Sequence, residues 1–250
     1  MDHYRASNHN ALTPMVKNLI IINALMFLAK LVFGEQGLDL DESLALFNPA
    51  SAMFRPWQIL SHFFMHANTL HLFMNMFGLF MFGRMLEIRW GAKRFLFFYM
   101  ATAFFAALLH FLVVQYQIST LVNQIPQGIY DAIKANDIAR IQQLAVASDG
   151  EVIAKLYGLV NGPVLGASGA IFGILGACYV LFPNTILYLI FPPIPIRLKV
   201  AVTLYGLYEL YRGLENSPTD NVAHFAHLGG LVAGIIIVKY WNKTRRDSFF

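Results

Sequence analysis

GPVLGASGAIFGILGACYVLF, residues 162–182, is an apolar run with the length of a membrane helix, and Ser168 stands near its head between Gly166 and Gly169. A hydroxyl among glycines in such a place has two readings. It can be a packing group, since small residues let two membrane helices touch and bond, or it can be a nucleophile. Chemistry would need a base and an oxyanion site on other segments, so the rest of the chain decides between them.

Around this run, 57% of the residues are apolar, 14% aromatic and 13% charged. The charged share is about half of the ~25% usual in soluble domains. The apolar runs recur with few gaps, so the chain reads as one all-α integral membrane domain over residues 1–250 rather than as two soluble ones. The single cysteine, Cys178, sits inside an apolar run, which excludes a disulfide within the chain. A formal charge of +4 does not point to nucleic acid, because the basic residues are not gathered in one patch.

Working outward, six spans are expected at 15–33, 68–83, 95–114, 163–182, 200–214 and 222–241. Thr13 and Pro14 read as N-cap and first position of the first helix, and Lys30 near its end reads as a snorkelling cation. An acidic loop with Glu35, Asp39, Asp41 and Glu42 precedes WQILSHFFMHANTLHLFMNMFGLFMFG, residues 57–83. There, His71 and Asn75 lie about 40° apart on a helix, whereas His62 and His71 lie about 180° apart. One straight helix cannot aim all of them at one site. Asn68 or Thr69 offers an N-cap, which places His62 and His66 in a short preceding helix. Arg84, Arg89, Lys93 and Arg94 form a basic connector around Glu87. Residues 115–161 are mixed and charged, with Ile129, Ile133, Ile138, Ile141 and Leu144 at helical spacing, as in amphipathic helices on the membrane surface or capping the bundle. ILYLIFPPIPI, residues 186–196, is too broken by proline for a regular helix. The fifth span is short and contains Glu209.

Both ends fall on one side of a six-span bundle, and twelve basic residues gather there against five on the other side. This excess makes both termini cytoplasmic. It also brings Ser168, His227 and Asn75 into the outer half of the membrane.

A serine hydroxyl needs a neighbouring base at neutral pH. His227 is the candidate, because Gly230 and Gly234 share its face while Gly169, Gly173 and Gly176 line the helix of Ser168. Two glycine stripes would allow close approach. His224, one turn earlier, is the competing base. His71 and Asn75, with the Ser168 amide, offer donors for an oxyanion. His62 and His66 suit a polar, water-holding approach.

GASGAIFG, AHLGG and H(x8)H(x3)N, in that combination, resemble the rhomboid family of intramembrane serine proteases, and the likeness runs from Trp57 to Gly234. SH(x3)H and GRMLEIRWG fit the same family. The resemblance implies a six-helix rhomboid-like bundle and a Ser168/His227 dyad without an aspartate. It further implies an oxyanion site including His71 and Asn75, and cleavage of single-pass membrane proteins near the outer end of their transmembrane helix. The expected setting is the cytoplasmic membrane of a bacterium. Two departures stand out: Trp57 is followed by Gln58 where many relatives have arginine, and Phe172 replaces a tyrosine that stacks on the histidine in some members.

The expected partners are single-pass membrane substrates and the lipid bilayer, with no nucleic acid, no cofactor and no metal. A metalloprotease would use HFFMH, residues 62–66, but that motif lacks the glutamate of HExxH. A non-cutting relative typically lacks the serine or the histidine, and a transporter would not require a glycine-flanked serine opposite a histidine. The expected reaction has a substrate helix entering past the fifth span and unwinding. Ser168 then attacks, with His227 as base and then acid, and water resolves an acyl-enzyme.

Overall fold

The computed structural model describes residues 12–145, 149–188, 194–215 and 222–246, with side chains as far as Thr244. Helix α1 spans Pro14–Glu35. Pro14 opens it as expected, but the cap comes from elsewhere: the Thr13 side chain caps no helix amide. Instead the Glu87 carboxylate accepts from the Met15 and Val16 amides at 2.8 Å and from the Thr13 hydroxyl. Those amides have no intrahelical acceptor, and an anion at a helix N-terminus also meets the favourable end of the dipole. At the other end, Lys30 does not reach for lipid headgroups. Its ammonium pairs with Asp41 and donates to the His66 carbonyl at 3.0 Å, tying α1 to the loop that follows.

That loop carries α2 (Leu40–Leu44), α3 (Gln58–Ser61) and a 3-10 turn (His62–Phe64). Helix α4 (Thr69–Gly78) starts on Asn68, whose side chain accepts from the His71 amide at 2.8 Å. A π-helical stretch (Leu79–Gly83) leads straight into α5 (Arg84–Trp90). The basic connector is thus the end of the helix itself. Nothing between Gly83 and Trp90 breaks helical geometry, and the chain turns only at Gly91, which takes φ +79°.

Helix α6 (Ala92–Leu121) has 30 residues. At about 1.5 Å per residue it is ~45 Å long, well beyond a ~30 Å hydrocarbon layer. Its upper end, with Val114 and Ile118, is therefore sheathed by α7 (Gln127–Lys134), α8 (Ile138–Leu144) and α9 (Gly150–Asn161), which have a core of their own around Ile129, Ile133, Ile141 and Leu156. Ile138 and Leu144 stay exposed. This cap is fixed to the first loop by Asn161, which receives the Ser51 hydroxyl at 2.6 Å and donates to the Ile133 carbonyl at 2.8 Å.

Helix α10 (Ser168–Leu181) begins at the serine itself, later than the expected limit of 163. Two features hold the preceding residues out of the helix. Val164 pairs with Leu46 in an antiparallel bridge, and Gly166 takes φ +122° while its amide donates to the His62 carbonyl at 2.9 Å. After α10 come β1 (Ile186–Tyr188) and β2 (Pro195–Arg197), an antiparallel pair in place of the proline-broken segment, whose residues 189–193 lie outside the described ones. Helices α11 (Leu198–Glu215) and α12 (His224–Arg246) complete the fold. Among the described residues, Pro14–Glu35, Ala92–Gln124 and His224–Thr244 are long and apolar enough to cross a membrane, while Ser168–Leu181 is apolar but shorter.

The centre of the bundle is α10, packed on α6 and α12. A methyl group at Gly230 would run into the Gly169 carbonyl, and one at Gly234 into the Gly173 carbonyl. The two glycine stripes therefore meet backbone to backbone. At the opposite end from the serine, Trp90 packs edge-on against Trp241 at 5.3 Å, and the Arg94 guanidinium stacks on the Trp241 ring at 3.9 Å.

Candidate active site

Ser168 is the first residue of α10, so its hydroxyl and its amide both lie at a helix N-terminus, where amides lack intrahelical acceptors. Because Gly230 lets α12 close on α10, His227 comes within direct reach: its Nε2 lies 2.8 Å from Ser168 Oγ. The imidazole is held from two further sides. Phe172, one turn below the serine, stacks on it with centroids 4.3 Å apart and planes within 6°. Tyr205 of α11 packs behind Phe172 at 4.8 Å. The ring contact expected of an aromatic at position 172 is therefore present without a phenol.

The second ring nitrogen has a partner that the sequence did not assign. Glu209 of α11, only 2% exposed, brings Oε2 to 2.9 Å from His227 Nδ1. The same oxygen lies 2.6 Å from His224 Nδ1. His224 thus faces the carboxylate, whereas His227 bridges carboxylate and serine. With Glu209 ionised, both Nδ1–H groups donate to it, and His227 Nε2 is left with a lone pair for the serine proton. The sequence signal was the carboxylate itself, since an ionisable residue on a membrane helix is costly without a partner. The three ligand-type atoms of Glu209, His224 and His227 all lie within 4.8 Å of one another, close enough to hold a metal ion.

His71 and Asn75 share one face of α4 and flank the serine loop through Gly166. A Cβ at Gly166 would stand 2.9 Å from the His71 ring and 3.7 Å from Asn75 Nδ2, in a backbone conformation that side chains rarely adopt. Glycine here serves both the turn and the close approach. Asn75 is buried, and its Nδ2 has no hydrogen-bond partner among the described residues, so a donor is available beside Gly166, two residues before Ser168. His66 is fully buried, edge-on to His71 at 5.2 Å. His62 touches the site through its backbone: its carbonyl holds Gly166, and its Nδ1 donates to the Gln58 carbonyl at 2.7 Å. Burial pushes both imidazoles down to about 4, His66 with further help from His71, so they stand neutral at ordinary pH.

The loop that carries His62 is anchored by Gln58, the residue that follows Trp57. Its side chain is fully buried. Oε1 accepts from the Arg55 amide at 2.9 Å and the Phe47 amide at 3.5 Å, while Nε2 donates to the Met53 carbonyl at 3.1 Å and the Glu42 carbonyl at 3.4 Å. Trp57 adds an indole bond to the Ser43 carbonyl at 2.9 Å. An uncharged amide thus ties four backbone groups together. Gln58→Ala would leave them buried and unpaired, at about 1–3 kcal/mol, and a fall of roughly 2–10 °C in the thermal midpoint is expected. A midpoint unchanged in detergent would show that the loop is held otherwise.

The family profile described as Rhomboid domain matches residues 54–243 of this chain. RHOMBOID-like protein 12, mitochondrial, of Arabidopsis thaliana is 28% identical over 236 residues, covering 94% of this chain and 60% of that protein. Rhomboid-like protease 3 of Toxoplasma gondii is 24% identical over 203 residues, covering 81% of this chain and 58% of that protein. The chain therefore spans only part of the length of these curated relatives. The matched residues begin in the loop held by Gln58 and run through the sixth expected span, taking in Ser168, His227, His71 and Asn75, and the chain belongs to the rhomboid family of intramembrane proteases.

Proposed function

We propose that this chain is an intramembrane serine endopeptidase that hydrolyses peptide bonds near the outer end of the transmembrane helix of single-pass proteins. The observation that carries the reading is the 2.8 Å contact between Ser168 Oγ and His227 Nε2, with His227 Nδ1 engaged by a carboxylate. In this reading the bundle has six spans, α1, α4 with α5, α6, α10, α11 and α12. Both ends lie on the side where basic residues gather, which in a bacterial cytoplasmic membrane is the cytoplasm.

The geometry supports the following steps. Ser168 attacks the scissile carbonyl as His227 Nε2 takes its proton. The oxyanion is met by the Ser168 amide at the head of α10 and by Asn75 and His71 beside Gly166. His227 then gives its proton to the leaving amine, and water resolves the acyl-enzyme by the same route. A peptide bond must leave its helical hydrogen bonds before attack, so glycine or proline near the cleavage site eases the reaction. Most of α11 presents exposed side chains, including Leu204, Tyr208 and Tyr211, and we assign substrate entry to its side of the bundle.

Purified protein mixed with a model single-pass substrate is expected to give two fragments whose new termini fall in the outer part of the transmembrane helix. Intact substrate, or new termini only in its soluble parts, would contradict the assignment.

Glu209 acts here as a positioning residue. It selects the Nδ1–H tautomer of His227 and stabilises the imidazolium that forms during attack. Glu209→Gln keeps an oxygen for the two donors but loses the charge. It is expected to lower kcat by about 10²-fold with KM nearly unchanged, a milder effect than the ~10⁴-fold loss when the wrong tautomer is forced in a serine triad. Unaltered kcat would show that the carboxylate has only a packing role.

A further inference from the structure

We propose that Glu209, His224 and His227 form an inhibitory site for a divalent transition metal of the zinc type. His224 and His227 stand three residues apart on α12 and present Nδ1 atoms to the same carboxylate oxygen, at 2.6 and 2.9 Å, from a different helix. All three residues are buried, at 2%, 7% and 9% exposure, and their ligand atoms lie within 4.8 Å of one another. Ligands at ~2.0–2.2 Å around a tetrahedral zinc ion sit about 3.3 Å apart. Converting the hydrogen-bonded cluster to a chelate therefore asks the carboxylate oxygen to withdraw by about 0.5 Å, and the two Nδ1 atoms, within 4.8 Å of each other, to close to that same spacing by small rotations of the imidazoles. Two imidazoles and one carboxylate, with a fourth position for water, suit zinc, copper or nickel, whereas magnesium and calcium prefer oxygen donors.

Metal in this position excludes the proton arrangement that the proposed mechanism uses. Coordination takes the Nδ1 lone pair of His227. Each imidazole stays neutral only by carrying its proton on Nε2, so the two Nδ1–H hydrogen bonds to Glu209 are replaced by bonds from the two Nδ1 atoms and the carboxylate oxygen to the metal, and no proton is lost overall. Nε2–H then faces Ser168 Oγ as a donor and cannot accept the serine proton. The cluster passes from a net charge of −1 to +1, so it offers no anion to steady an imidazolium. The metal site itself is independent of the protease reading, but the inhibition rests on it.

The test uses zinc chloride and cobalt chloride as probes on purified protein in detergent. Ser168→Ala keeps all three ligands, so it should bind one equivalent of zinc, show the visible absorption of tetrahedral cobalt and gain thermal stability with either metal. Ser168→Ala/His224→Ala should bind zinc at least tenfold more weakly. In the wild-type protein, zinc at concentrations that fill the site should slow substrate cleavage at least tenfold, EDTA should restore it, and magnesium should have no effect. Equal zinc binding by the single and double variants, absence of binding, or full cleavage by the zinc-loaded protein would overturn the proposal. Zinc bound by Ser168→Ala alongside a wild-type protein that cleaves nothing with EDTA present would uphold the metal site and refute the protease assignment. Ser168-dependent cleavage without zinc binding would do the reverse.

Discussion

Ser168→Ala is expected to reduce cleavage of a single-pass substrate to background, a loss of about 10⁴-fold or more. Removing the hydroxyl deletes the oxygen that lies 2.8 Å from His227 Nε2, while the ring stays stacked on Phe172 and bonded to Glu209. The variant is also expected to fold. Ser168 is only half-buried, and alanine suits the first turn of a helix whose neighbours at 167 and 170 are already alanine. The loss should therefore fall on kcat alone, with substrate binding retained. Cleavage at the wild-type rate by a folded Ser168→Ala protein would remove the serine from the mechanism.

His227→Ala is expected to cost about 10⁴-fold in kcat, while His224→Ala costs no more than about tenfold. The two histidines are one turn apart, so sequence alone offered His224 as a competitor to His227, and in the structure they share a carboxylate oxygen. Their second nitrogens separate them, since it is His227 whose Nε2 reaches the serine. His224→Ala leaves Glu209 with one donor and leaves the bridge from carboxylate to serine intact. A cleavage assay with the two variants in parallel checks this. Equal losses would contradict His227 as the base acting alone, and a larger loss at position 224 would assign the base to His224.

Much of the site could be read from local spacing. His71 and Asn75 fall on one helical face, and the break at Asn68 that separates them from His62 and His66 is a capping signal written in a single residue. The glycine stripes were legible for the same reason, because Gly169, Gly173, Gly230 and Gly234 repeat at helical period and can serve only a close neighbour. Glu209 was different. A carboxylate on an apolar span announces that it has a partner, but which partner depends on the register of α11 against α12, and no periodicity within either helix sets that register. Gln58 was obscured in another way. Its four bonds all go to backbone groups of a loop, and those groups carry no side-chain signature.

The limits of the helices show the same division. Hydropathy extended the span of Ser168 back to residue 163, because Val164 and Leu165 are as apolar as the helix itself. The bridge to Leu46 and the positive φ of Gly166 instead keep those residues extended, and they lift the serine to the first turn of α10. In the other direction, charge suggested a connector at 84–94, yet Glu87 is consumed in capping α1 and helical geometry persists to Trp90.

The most direct test of the proposed nucleophile is covalent. Purified protein treated with a fluorophosphonate, which phosphonylates a serine hydroxyl activated by a base, should carry one adduct per chain, mapped by peptide mass spectrometry to Ser168. The same reagent should leave His227→Ala unlabelled. An adduct on another residue, or equal labelling of both proteins, would contradict the assignment of Ser168 and His227 as nucleophile and base.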